Sequence, residues 1–194
     1  MKKLLLGVTF TLGLGLFQVH AQSIEIIPKA GINIAKQAIK DVNGEKSKVG
    51  FQGGVGVNIH TKIAGFSIQP ELNFVQKGSE INGKDGRKID YNTSYLELPV
   101  LAKYSIGPLF VNAGPAIGLR LSDSNKAKEA IGKTKSIDFG VQMGLGAALP
   151  VGPGKVIVDG RYNLGLTNVS DVSNRNIKNR GILVSLGYAI PLGN

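Results

Sequence analysis

Residues 95–104 have the sequence Tyr-Leu-Glu-Leu-Pro-Val-Leu-Ala-Lys-Tyr, and their side chains alternate in character. One face of the extended chain carries only uncharged, largely apolar residues: Leu96, Leu98, Val100, Ala102 and Tyr104. The opposite face carries Tyr95, Glu97, Pro99, Leu101 and Lys103, and so holds both charged residues of the stretch. A period of two is typical of a β-strand with two different environments on its two sides. The stretch therefore predicts a strand between an apolar and a polar medium.

The same period of two recurs along the chain. It appears in seven further segments: 24–34, 51–59, 66–77, 109–121, 137–149, 158–164 and 182–190. Tilted strands of about ten residues are long enough to cross a bilayer. We therefore predict eight membrane-crossing strands.

The connections between these segments alternate in length. Four are long and polar, namely 35–48, 78–90, 122–134 and 167–179, whereas 60–64, 105–108 and 150–154 are short and have Gly or Pro within them or, for 60–64, directly after at Gly65. Short periplasmic turns and longer extracellular loops are typical of outer-membrane barrels. The predicted fold class is all-β: an eight-stranded, antiparallel, up-and-down transmembrane β-barrel.

Composition indicates which face meets lipid. The apolar faces hold large aliphatic residues without charge, whereas the polar faces mix charges with Gly and Ala. Gly weakens a strand that is exposed to water, but a narrow eight-stranded lumen has room only for a filling of side chains. We therefore expect the apolar faces outside. In the alternative interpretation, the apolar faces point into the barrel. The protein is then an exported lipocalin-like barrel that binds a small apolar ligand.

Residues 1–21 resemble a secretory signal peptide. Lys2 and Lys3 supply positive charge, residues 4–17 form an apolar run, and Val19-His20-Ala21 has the pattern of a cleavage site. The run is short for a transmembrane helix, which needs about 20 residues. We predict export, a barrel domain over residues 22–194, and an outer-membrane location.

Composition excludes several classes of function. The 194 residues include no Cys and only two His, so thiol nucleophiles and sites built on Cys or several His are excluded. We expect no catalytic residue, no metal and no cofactor. Mean hydropathy is +0.07, too low for a bundle of transmembrane helices. The net charge of +10 suggests an acidic partner.

Several short segments resemble the PorT-like outer-membrane β-barrel domain family. They are Phe51-Gln52-Gly53-Gly54, Gln69-Pro70-Glu71-Leu72, Tyr95-Leu96-Glu97-Leu98-Pro99-Val100-Leu101, Asn112-Ala113-Gly114-Pro115 and Asp159-Gly160-Arg161-Tyr162. The resemblance covers essentially all of residues 22–194, and its Leu-Glu-Leu-Pro-Val-Leu stretch is the most specific part. It implies an eight-stranded outer-membrane barrel, usually without assigned activity. PorT itself is linked to a gliding-type secretion system.

Charged residues on the polar faces predict a lumenal network. Its members are Glu71, Glu97, Lys103, Arg120, Asp138, Asp159 and Arg161. If the third long loop folds as a hairpin, we expect Arg120 nearly opposite Asp138. We expect Glu71 to face Glu97 across the second loop, with Lys103 or Arg161 as the cation that one of them needs. The two glutamates could form a general acid/base pair, but we favour a structural network that fills the lumen. Eight strands leave no aqueous channel.

A third hypothesis is an outer-membrane enzyme that modifies lipid, with His60 and Glu97 as its candidate residues. His60 falls at a predicted periplasmic turn, away from the outer leaflet, and lacks a neighbouring Ser-Asp arrangement. We therefore interpret it as an interfacial turn residue and favour a protein that is not an enzyme.

The long loops are basic. They carry Lys36, Lys40, Lys46, Lys48, Lys84, Arg87, Lys88, Lys126, Lys128, Lys133, Arg175, Lys178 and Arg180. Candidate partners are outer-membrane lipid, in particular lipopolysaccharide phosphates, and other envelope or secretion proteins. Solvated loops without a partner explain the charges equally well. No module for nucleic-acid binding is present, so nucleic acid is excluded. The predicted role is envelope structure, adhesion, or membership of a secretion or assembly complex.

Overall fold

Backbone pairing closes the sheet on itself in the computed structural model. The structure describes residues 23–39, 46–82, 88–123, 137–167 and 177–192. These residues form eight antiparallel strands: β1 (Ile24–Ile39), β2 (Lys46–His60), β3 (Phe66–Asn82), β4 (Lys88–Ile106), β5 (Leu109–Asp123), β6 (Ile137–Val151), β7 (Gly154–Gly165) and β8 (Ile177–Leu192). Each strand pairs with the next, and β1 also pairs with β8. The predicted fold class is confirmed.

The strands extend beyond the predicted segments. For example, β4 begins at Lys88, seven residues before the predicted start at Tyr95. The added residues, Lys88-Ile89-Asp90-Tyr91-Asn92-Thr93-Ser94, continue the alternation in sequence, with Ile89 and Tyr91 two positions apart, whereas the predicted loop 78–90 includes the first three of them. The remaining loop residues and the predicted signal peptide, residues 1–21, lie outside the described residues. No helix in the described part of the chain is long and apolar enough to span a membrane.

Three tight connections occupy one end of the barrel, which we call the short-turn end. They are residues 61–65, 107–108 and 152–153. Gly65, Gly107 and Gly152 have φ angles of 76°, 60° and 61°. Glycine adopts this left-handed region without the steric cost that a Cβ adds. The short turns are therefore specified by the residues that the sequence places there.

The apolar faces point outward. Leu98, Val111 and Leu186 are 42%, 56% and 60% exposed, whereas Glu71 and Glu97, on the opposite faces of their strands, are 4% and 2% exposed. A barrel that binds an apolar ligand in its interior needs the reverse arrangement. The lipocalin-like alternative is therefore wrong, because the large aliphatic side chains surround the barrel and the charges fill it.

Close strand approach makes one lumenal glycine hard to replace. A Cβ built on Gly114 in β5 would overlap the carbonyl oxygen of Val100 and lie 2.9 Å from the Cα of Leu101, both in β4. Gly160 in β7, on the outward face with Val158 and Tyr162, provides an uncrowded control, because the nearest atom to its built Cβ is the Leu145 oxygen at 4.0 Å.

We expect Gly114→Ala to lower the free energy of unfolding by about 1–3 kcal/mol, the usual range for overpacking. Gly160→Ala should change it by less than about 0.5 kcal/mol. Equilibrium denaturant unfolding of the two variants measures both values. Equal effects at the two positions would contradict the proposed contact between β4 and β5.

Candidate functional site

Glu71 is the centre of a polar cluster near the middle of the lumen. Arg161 Nη1 and Nη2 donate to its two carboxylate oxygens at 2.8 and 2.9 Å, and Lys29 Nζ donates at 2.5 Å. The amides of Gln69 and Asn73 donate at 2.6 and 2.8 Å. Five hydrogen bonds therefore reach this buried carboxylate from described residues.

Asp159 belongs to the same cluster because it contacts Arg161. Arg161 Nε donates to Asp159 Oδ1 at 2.9 Å, and Arg161 Nη2 pairs with Asp159 Oδ2. Because the two residues are two apart in β7, both side chains point into the lumen. One guanidinium thus holds two carboxylates, which suits its planar set of five N–H donors. We call Lys29, Glu71, Asp159 and Arg161 the central cluster.

A second cluster lies nearer the end of the long loops. Lys77 Nζ is 2.5 Å from Glu97 Oε1 and 3.5 Å from Asp138 Oδ2. Gln142 Nε2 donates to Glu97 Oε2 at 3.0 Å, and Lys77 Nζ lies 4.7 Å from the centroid of the Tyr95 ring. Side chains here link β6 to the backbone-paired strands β3 and β4.

A third cluster surrounds Glu25 at the short-turn end. Lys155 Nζ donates to Glu25 Oε1 at 2.7 Å, and Asn58 Nδ2 donates to Glu25 Oε2 at 2.9 Å. His60 Nε2 is 3.2 Å from Glu25 Oε2 and 3.0 Å from Asn58 Nδ2. This histidine is the last residue of β2, so it lies at the end of the barrel where the sequence places it.

The strand register gives the positions of the two predicted pairings. Gly118 lies directly opposite Asp138, so Arg120 is nearly opposite it, two residues along β5. Asn73, not Glu71, lies directly opposite Glu97, so the two glutamates are offset by two residues. The connections of both hairpins are long, and the tight-turn geometry that fixes the register of a short hairpin cannot be read from them.

Arg161, one of the two cations predicted for the glutamates, pairs with Glu71. The cation of Glu97 is Lys77, which the predicted network did not include. Lys29 and Lys77 both occupy polar-face positions of their strands, so the alternation of faces identifies both as lumenal. It does not identify their partners.

The arrangement leaves little scope for acid/base chemistry. Glu71 accepts several hydrogen bonds from cations and amides, and both oxygens of Glu97 contact donors. His60 contacts Glu25 and Asn58 rather than a serine hydroxyl, as far as the described residues show. Within those ranges, no group of three or more His, Asp or Glu could hold a metal ion. The observed ion pairs and hydrogen bonds of these clusters join strands across the lumen.

Comparisons with known proteins agree with this architecture. A family model described as "Outer membrane protein beta-barrel domain" matches residues 20–171. The crystal structure of neisserial surface protein A (NspA) has a TM-score of 0.52 at 15% identity, covering 84% of this chain and 95% of that one.

The attachment invasion locus protein Ail of Yersinia pestis, in complex with the heparin analogue sucrose octasulfate, has a TM-score of 0.49 at 15% identity. That alignment covers 88% of this chain and 100% of Ail. No curated protein matches the chain. At such identities, the likeness to NspA concerns the fold.

Proposed function

Because this chain belongs to the outer membrane protein β-barrel domain family, we propose that it is a non-enzymatic outer-membrane barrel with a closed lumen. Its role is envelope structure, adhesion, or membership of a secretion or assembly complex, and its outer surface carries that role. Export by the signal peptide in residues 1–21 is part of the proposal. The narrower PorT-like assignment stays a prediction, supported by the sequence segments quoted above.

The proposal of a closed lumen rests on one observation, the bidentate ion pair between Glu71 and Arg161. Glu71 lies in β3 and Arg161 in β7, so the pair joins strands four places apart in a closed ring of eight. Such strands are opposite walls. The side chains of both residues are almost fully buried, at 0% and 3% exposure. The pair therefore occupies an interior that, in an eight-stranded barrel, is just wide enough for side chains to fill.

Electrical recording tests the closed lumen directly. We expect the purified wild-type protein to give no discrete conductance steps in a planar lipid bilayer, because the central cluster blocks the lumen. Protease protection of the same protein in vesicles, measured in parallel, establishes that it has inserted. Reproducible conductance steps from inserted wild-type protein would refute the closed lumen.

The basic end of the barrel supports a lipid partner. Lys36 in β1 pairs in register with Arg180 in β8, near the end of the long loops. Lys46, Lys48, Lys88 and Lys178 also lie in strand extensions, whereas the other basic loop residues named above fall outside the described ranges. Lipopolysaccharide phosphates are the anions that we propose for these cations. A pull-down from crosslinked envelopes separates a free-standing barrel from a member of a protein complex.

A further inference from the structure

A cavity of about 380 Å³ lies inside the barrel at the short-turn end. Its polar lining includes Glu25, Asn58, His60, Lys103 and Lys155. The side chains of His60 and Lys155 are 35% and 41% exposed, so the cavity is reached from this end. In an outer-membrane barrel with short periplasmic turns, that end faces the periplasm.

Lys103 is the unusual member of this lining. It is only 4% exposed, and no ion pair or hydrogen bond of its ammonium is found among the described residues. Its nearest defined contact is the ring of Phe110, whose centroid is 4.1 Å from Nζ. A buried ammonium is normally paired with an anion because removal from water is costly. The ring face offsets only part of that cost.

The other buried cations differ from Lys103 in this respect. Lys29 and Arg161 share Glu71, and Lys77 contacts Glu97. Glu25 is the carboxylate that lines the cavity with Lys103, and it already contacts Lys155 at 2.7 Å and Asn58 at 2.9 Å. One carboxylate thus faces two lysines around the cavity. The imbalance is one positive charge, which a monoanion would neutralise.

The rest of the wall sets the shape of such an anion. Ile157 is 6% exposed and belongs to a buried apolar cluster with Ile27, Phe110 and Ala189, against which Ala148 packs. Ile157 and Ala148 both line the cavity. Sites of this volume typically combine apolar walls with a few polar groups that fix orientation.

We propose that this cavity binds a small carboxylate with a short apolar body, which enters from the periplasm. The carboxylate pairs with the Lys103 ammonium, and the apolar body packs on Ile157 and Ala148.

The test uses the full chain folded in detergent micelles, with butyrate as the probe and butyramide as its neutral isostere. Saturation-transfer NMR measures both dissociation constants. We expect saturable butyrate binding and at least about tenfold weaker butyramide binding, because a hydrogen bond to a charged group is worth about 1.5–3 kcal/mol and 1.4 kcal/mol is tenfold. Lys103→Met should weaken butyrate binding by a similar factor. Lys62→Met, which removes an exposed lysine from the neighbouring turn, should not.

A second variant keeps the proposal testable if Lys103→Met does not fold. Ala148→Leu leaves the ammonium in place but fills part of the cavity, and we expect it to abolish butyrate binding. Three results would each overturn the proposal: no saturable butyrate binding, equal binding of butyramide, or unchanged butyrate binding in both the Lys103→Met and Ala148→Leu proteins.

Discussion

Arg161→Met should lower the free energy of unfolding by about 3–5 kcal/mol, the cost of leaving buried charge without its partner. The Arg161 side chain is 3% exposed, and its guanidinium forms two hydrogen bonds to Glu71 and two to Asp159. After the substitution, Lys29 is the one remaining cation in the central cluster for two carboxylates. Urea unfolding of the protein in lipid vesicles measures the change.

Two further variants separate the buried pair from general loss of charge. Lys62→Met removes an exposed turn lysine and should change stability by less than about 0.5 kcal/mol. The double variant Glu71→Met with Arg161→Met should lose clearly less than the sum of its single variants, because each single change strands the other partner. Additive losses would show that Glu71 and Arg161 do not act as a pair.

Val184→Arg should destabilise the barrel by about 2–4 kcal/mol, the cost of a cation at the bilayer midplane on the lipid face. Val184 lies in the middle of β8 (Ile177–Leu192) and is 42% exposed. On a surface in water, the same substitution at a partly exposed valine would change stability by less than about 0.5 kcal/mol. Vesicle-based unfolding therefore reports which medium surrounds this face.

Val151, which lies near the end of a strand rather than in its middle, is the matched control for depth in the membrane. Val151 is 51% exposed, slightly more than Val184, but it ends β6 next to the 152–153 turn. Near the membrane interface, Arg costs about 0–1 kcal/mol, so Val151→Arg should be close to neutral. Equal losses at the two positions would contradict the membrane placement of the strands.

Much of the architecture is predictable from residue alternation. Leu98 and Glu97 are neighbours in sequence and lie on opposite sides of the wall, one 42% and the other 2% exposed. That separation follows directly from the geometry of a strand, whose successive side chains point to opposite faces. The tight turns can also be predicted from the sequence, because Gly107 and Gly152 occupy positions where the backbone needs a positive φ angle.

The partners inside the lumen were not predictable in the same way. Arg161 meets Glu71 across 90 positions of sequence, and Lys77 reaches both Glu97 and Asp138. These contacts depend on register and on the diameter of the closed ring. Neither quantity is encoded in the pattern of a single strand. The sequence therefore predicts which residues are lumenal but not which of them touch.

The seam between β1 and β8 has a consequence for biogenesis. Ile24 pairs with Leu192 and Ile32 with Val184, so the ring joins residues from the two extremes of the chain. Contacts so distant in sequence form slowly, because a long loop must lose entropy before they add stability. Until the final strand arrives, both edges offer unpaired amides to other chains. Closure of the seam therefore removes the two edges at which separate copies of the chain can aggregate.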